Sequence, residues 1–135
     1  MDTHNAPRQR WLAVLARADK PALEQAAAAL GELPPLEHVR QPEPGMVMLR
    51  GRVGGTGDAF NLGEATVTRC ALRVGAGALG VGYALGRDKR KAELVALFDA
   101  LLQDPARQVA IQRDAAGRSA AASKVEFFTM VRGEA

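Results

Sequence analysis

MVMLRGRVGGTGDAFNLGEATVTRC, residues 46–70, decides what kind of fold this chain takes. Its first part alternates residue by residue, and its last part returns to the same alternation after a run of glycines. A period of two is the signature of strands, because successive side chains leave opposite faces of a sheet. The spacing predicts strands over residues 46–53, 64–74 and 78–85. They are joined by the glycine-rich stretch and by a short turn at Gly75-Ala76-Gly77. In the second strand Cys70, Leu72 and Val74 fall on one side, the side expected to be buried, with Arg69 and Arg73 on the other.

Helical spacing governs both flanks. Asn5 is placed to cap a helix that carries Trp11, Leu12, Leu15 and Ala18 along one face, and Pro7 is tolerated in its first turn. A second helix starts at Asp19, has Pro21 in its first turn and ends near Gly31, with Leu23, Ala26, Ala27 and Leu30 inward. Residues 33–45, LPPLEHVRQPEPG, contain Pro34, Pro35, Pro42 and Pro44 and read as a linker or an extended crossing segment. His38 lies there and reads as a solvated loop histidine.

Beyond the third strand, Asp88 caps the clearest helix of the chain. It turns Leu94, Leu97, Phe98, Leu101 and Leu102 to one face and Glu93, Asp99 and Gln103 away from it. Asp104-Pro105 restarts a helix to about residue 121, and KVEFFTMV at 124–131 reads as a final strand. The expected fold is therefore a single α+β domain over residues 1–135. It has a helix pair, an antiparallel sheet of three to four strands, a second helix pair and a C-terminal strand.

Composition narrows the function. At 47% hydrophobic but only 4% aromatic, the chain can build a core, though a thin one that would gain from a partner. A homodimer of the isolated chain is one way to do so. A net charge of +3 without a basic tail or an aromatic-interleaved basic stripe argues against nucleic acid. No apolar run of spanning length argues against a membrane, and one cysteine with two histidines makes neither a disulfide framework nor a metal set. A cytoplasmic setting is expected.

Two phosphate-binding patterns fail on context. GAGALG at 75–80 spells G-x-G-x-x-G, but VGYALG follows, which is poor helix, so a hairpin turn is the better account. GRVGGTGD lacks the lysine and hydroxyl residue of a Walker loop, and Asp58 follows its last glycine. Three readings of Gly54, Gly55, Thr56, Gly57 and Asp58 stay open. They form a plain connecting loop, a nest of amides for an anion, or a loop pressed against another subunit.

Cations supply the other candidates. Arg50 and Arg52 share a face of the first strand, as Arg69 and Arg73 do in the second. If those faces coincide, four like charges need an anionic partner, local acids such as Glu64, or a phosphorylated ligand. Arg87, Lys89, Arg90 and Lys91 crowd the N-terminus of the Asp88-capped helix, where cations oppose the dipole but could help seat an anion. The residues assemble no nucleophile–base pair, carboxylate dyad or metal set. From residue chemistry alone, a small free-standing phosphate- or nucleotide-binding module stays open.

LRGRVGGTGDAFNLGEATVTRCALR, then GVGYALGRDKRKAELVALFDALLQ, then KVEFFTMVRGE, in that order and spacing, resemble the PhnG family of the bacterial carbon–phosphorus lyase. RQRWLAVLARA is similar to that family's opening helix. The resemblance spans about residues 49–134 and is loosest in the proline-rich stretch and over 106–123. It implies a subunit that assembles with PhnH-, PhnI- and PhnJ-like partners in phosphonate catabolism. That complex joins methylphosphonate to the ribose C1′ of ATP and displaces adenine, giving ribose 1-methylphosphonate 5-triphosphate. The nucleosidase-like chemistry is assigned to the PhnI-type subunit and the radical iron–sulfur step to PhnJ. This chain's single cysteine could not ligate such a cluster by itself. The resemblance thus implies a non-catalytic subunit, with no cofactor bound by this chain alone and ATP as a substrate of the complex. The glycine stretch, with Asp58, Asn61 and Glu64, is then expected to dock a partner, and the arginines to meet acidic partner surface or a triphosphate.

Overall fold

The computed structural model describes residues 5–52 and 57–119. The elements run α1 (Asn5–Arg17), α2 (Lys20–Ala28), β1 (Leu36–Arg52), β2 (Ala59–Val74), β3 (Leu79–Leu85), α3 (Lys89–Leu102) and α4 (Pro105–Ser119). The strands form one antiparallel sheet in the order β1-β2-β3. This is the α+β class that the change of period indicates. The final strand expected at 124–131 lies outside the described residues. No helix among the described residues is long and apolar enough to cross a membrane.

α3 is the centre of the molecule. Its residues Ala92 and Leu94–Leu102 are all buried, because one side packs on the sheet and the other receives α1, α2 and α4. The core joins Trp11, Leu15, Leu23, Ala26, Leu72, Phe98, Leu101 and Ile111. Asp88 caps α3 as its sequence context requires: its Oδ1 accepts from the Lys91 amide at 3.0 Å. That bond and Lys20 at 3.2 Å hold the Asp88 carboxyl below the usual carboxylate range.

The glycines of GAGALGVG divide into two uses, neither of them a phosphate cradle. Gly75, at φ +59°, turns the β2–β3 hairpin. Gly80 and Gly82 let α3 approach the sheet: a Cβ on Gly80 would lie 2.1 Å from the Ala96 carbonyl oxygen, and one on Gly82 2.2 Å from that of Ala92. With Ala92, Ala96 and Ala100 facing them, helix and strand meet backbone to backbone.

Three sequence expectations are corrected. Of the two readings of the proline-rich stretch, the linker gives way to the extended one, since residues 36–45 are strand: Leu36 pairs with Val74 and Gly45 with Val67, with register shifts at His38/Arg40 and Arg40/Glu43. His38 is consequently not a solvated loop residue. It is half-buried on β1, and its Nε2 lies 2.7 Å from Glu93 Oε2. Asp99, assigned to the polar side of its helix, is fully buried. No polar side of α3 exists at that point, since the sheet and α1 enclose it together. There Asp99 accepts from Arg8 (Nε 3.1 Å, Nη2 2.8 Å), from Trp11 Nε1 and from the Val81 amide (both 2.9 Å).

Candidate partner-docking surface

β3 pairs with β2 only from Val67 to Arg73. Among the described residues the β1–β2 pairing runs on without it, from Met46 opposite Thr66 to Arg52 opposite Ala59, as a two-stranded arm. Such ribbons are marginal in water, because they have no third layer to bury an apolar face. The sequence here is nonetheless apolar on both faces. Met46 and Met48 continue the face that buries Cys70 and Leu72, and are 58% and 51% exposed. Leu49 belongs to the opposite face with Gly51, over which Phe60 and Leu62 lean: a Cβ at Gly51 would lie 3.2 Å from each. Leu49, Phe60 and Leu62 are themselves exposed. Large exposed apolar side chains on both faces of a ribbon mark a surface suited to being covered.

Of the candidate residues, Gly54, Gly55 and Thr56 lie outside the described residues. Gly57 and Asp58 lead into β2, with Asp58 exposed. Arg50 is exposed opposite Asn61, and Arg52 pairs with Ala59. Glu64 is exposed opposite Met48.

The arginines do not converge on one face. Register places Arg69 opposite Glu43 and Arg73 opposite Glu37, and alternation from Glu43 to Arg50 puts Arg50 on the other face. Arg73 Nη1 stands 3.9 Å from Glu37 Oε1, and Arg40 bonds Glu43 at 3.4 Å. These exposed pairs contribute little stability, but they supply the negative charge the open sheet face needs.

At the start of α3 the cations separate. Arg90 is engaged by its own chain, through Nε and Nη2 to the Glu24 carboxylate (3.0 and 2.9 Å) and Nη1 to Glu93 Oε1 (2.7 Å). Those bonds raise its pKa, and the pKa of Glu24 is lowered in turn. Lys91 Nζ donates to the Ala16 carbonyl at 2.8 Å. Arg87 and Lys89 are exposed.

Sequence reasoning missed the Glu24–Arg90–Glu93–His38 chain, which ties α2 to α3 and α3 to β1. Its only local signal is Arg90 and Glu93 three apart on one helix. Glu93 is desolvated, which raises its pKa, yet Arg90 and His38 together bring it below the ordinary value. Burial pushes the Cys70 thiol up to about 11, so it is an inert core group rather than a nucleophile.

Residues 6–133 match the family model described as phosphonate metabolism protein PhnG. The chain is 46% identical over 146 aligned positions to a protein of Rhizobium meliloti (strain 1021) named alpha-D-ribose 1-methylphosphonate 5-triphosphate synthase subunit PhnG. The alignment covers 98% of this chain and 94% of that relative. A match over nearly the whole of both chains leaves one conclusion: this chain belongs to the PhnG family of phosphonate-metabolism proteins.

Proposed function

We propose that the chain is a non-catalytic, assembly-forming subunit of the enzyme that makes ribose 1-methylphosphonate 5-triphosphate. It supports transfer of methylphosphonate to the ribose C1′ of ATP, with release of adenine, in company with PhnH-, PhnI- and PhnJ-like polypeptides. The observation that carries the reading is the arm: a ribbon with Met46 and Met48 exposed on one face and Leu49 on the other. A second circumstance favours a supporting role over a chemical one. The groups best suited to acid–base or nucleophilic work are committed to this chain's own structure: Asp99 to Arg8 and Trp11, Glu93 to Arg90 and His38, Cys70 to the core.

Co-expression with the other polypeptides of the synthase tests the proposal. The chain is expected to co-purify with them in fixed ratio, and the isolated chain to release no adenine from ATP plus methylphosphonate. Adenine release by the isolated chain overturns the non-catalytic role, and failure to co-purify overturns the subunit role.

A further inference from the structure

Residues 120–135 lie outside the described residues, and they include KVEFFTMV, 124–131, whose composition and alternation read as a strand. That segment is apolar on both faces: Val125, Phe127 and Val131 alternate with Phe128 and Met130, and no proline interrupts them. It matches a sheet margin that is itself flanked by apolar side chains on both faces.

The margin of β3 is answered in part from within the described residues. The Val81 amide donates to Asp99 Oδ2 at 2.9 Å, and the Leu79 carbonyl accepts from Gln103 Nε2 at 2.8 Å. The margin of β1 is interrupted over its first half by Pro42, Pro44 and two register shifts. From Gly45 to Leu49 its register runs unbroken, with Met46 and Met48 on one face and Val47 and Leu49 on the other. The course of α4 points the chain that way. Arg107, near its start, borders Val74 and Gly77, whereas Ile111 and Asp114 border Phe98 and Ala26, so α4 lies back along α3 toward its first turn. At that end of the molecule the Gly86 amide bonds the Thr66 carbonyl, and Thr66 pairs with Met46.

We infer that residues 124–131 pair antiparallel with the outer margin of β1, with Glu126 opposite Arg50, Phe128 opposite Met48 and Met130 opposite Met46. This register sets the one acid of the segment against the one cation of residues 45–50. Alternation then stands Phe128 and Met130 beside Met48 and Met46, where sulfur and ring make favourable contact, and stands Phe127 beside Leu49 on the other face. A slip of one residue would put Glu126 and Arg50 on opposite faces. The third strand also gives the arm the stability that a two-stranded ribbon lacks. It takes up the backbone margin and widens the two apolar faces without covering them, so it goes beyond the subunit reading and does not depend on it.

Nuclear Overhauser contacts in the isolated full-length chain test the pairing. Backbone contacts are expected between Glu126 and Arg50, Phe128 and Met48, and Met130 and Met46, unchanged on dilution. Their absence, or contacts of residues 124–131 with β3 instead, overturns the inference. Contacts that fade on dilution overturn it too, because they make a second copy the donor of the strand. Amide exchange gives an independent measure. Phe128→Pro breaks the added strand and is expected to speed alternate amides of residues 45–50 by roughly tenfold or more, while the amides of α3 keep their rates. Unchanged rates at 45–50 overturn the inference, and if the variant fails to fold, the contacts in the unaltered chain decide. Since no other polypeptide is present, a negative result here leaves the subunit reading standing, and a failure to co-purify leaves the pairing standing.

Discussion

Trp11 and Asp99 stand 88 positions apart in sequence, and the indole Nε1 donates to the carboxylate at 2.9 Å inside the core. Arg8 joins from one turn earlier on α1, and the Val81 amide joins from β3, so a single buried carboxylate fastens a helix and a strand edge to α3. The Arg8 guanidinium is in turn held above its ordinary pKa, mainly by its hydrogen bonds to Asp99. An isolated buried charge is costly, but one with four donors, two of them from a guanidinium, is satisfied.

Asp99→Ala leaves the Trp11 N–H and the Val81 N–H unpaired and strands Arg8. The expected loss is about 3–5 kcal/mol of unfolding free energy, read from urea denaturation. Asp99→Asn, which keeps the shape and some of the bonds, is expected to cost less. Equal losses in the two variants would mean that packing, not charge, dominates the site.

Gly80→Ala and Gly82→Ala are expected to destabilise by about 1–3 kcal/mol each, because the added methyl meets the backbone of α3 and not a movable side chain. Gly45→Ala is the control, since the nearest atom to a Cβ there is the end of Arg69 at 3.9 Å. Thermal midpoints of the three variants give the comparison, and a tolerated Gly82→Ala would contradict the close helix–strand approach.

Acid lability follows from Glu93. Its folded-state pKa lies below its unfolded value, so its ionised form adds stability above the unfolded carboxylate range, near pH 4.5. That contribution disappears as pH falls from about 4.5 through the folded pKa. Glu93→Gln is expected to flatten the acid limb of a stability-versus-pH curve measured from pH 6 to pH 3. An unchanged slope would show that the bonds to His38 and Arg90 carry no net charge stabilisation.

Cys70 is expected to resist thiol reagents. With its thiol raised to about 11, the thiolate fraction at pH 8 is about one part in a thousand, and the side chain is buried besides. Labelling in the native state should proceed no faster than local opening exposes the residue. Rapid labelling of the folded chain at pH 8 would contradict both the burial and the pKa.

The alternation in 64–74 and 78–85, the Asp88 cap and the apolar stripe of α3 were legible in the sequence, because each depends on residues within a turn or a pleat of one another. Burial of Cys70, Leu72 and Val74 follows from alternation alone. What local spacing could not show was where α1 and the edge of β3 come to rest. Asp99 occupies a position that helical periodicity marks as outward, and only the arrival of Arg8 and Trp11 makes it inward. His38 was hidden for the same reason: its prolines suggest a loop, whereas pairing with β2 and the reach of Glu93 from α3 make it part of the sheet. Whether the two arginine pairs share a face stayed open in the sequence, because strand alternation fixes relative faces within one strand but not between two. The pairing register, set by bulges at His38/Arg40, Arg40/Glu43 and Leu49/Arg50, decided that they do not. Sequence by itself determined the α+β class, the cores of the helices and strands, and the chain's kinship. Tertiary structure decided which charges are already answered within the chain and which side chains of its strands and helices are buried, because both depend on distances between elements that no local pattern encodes.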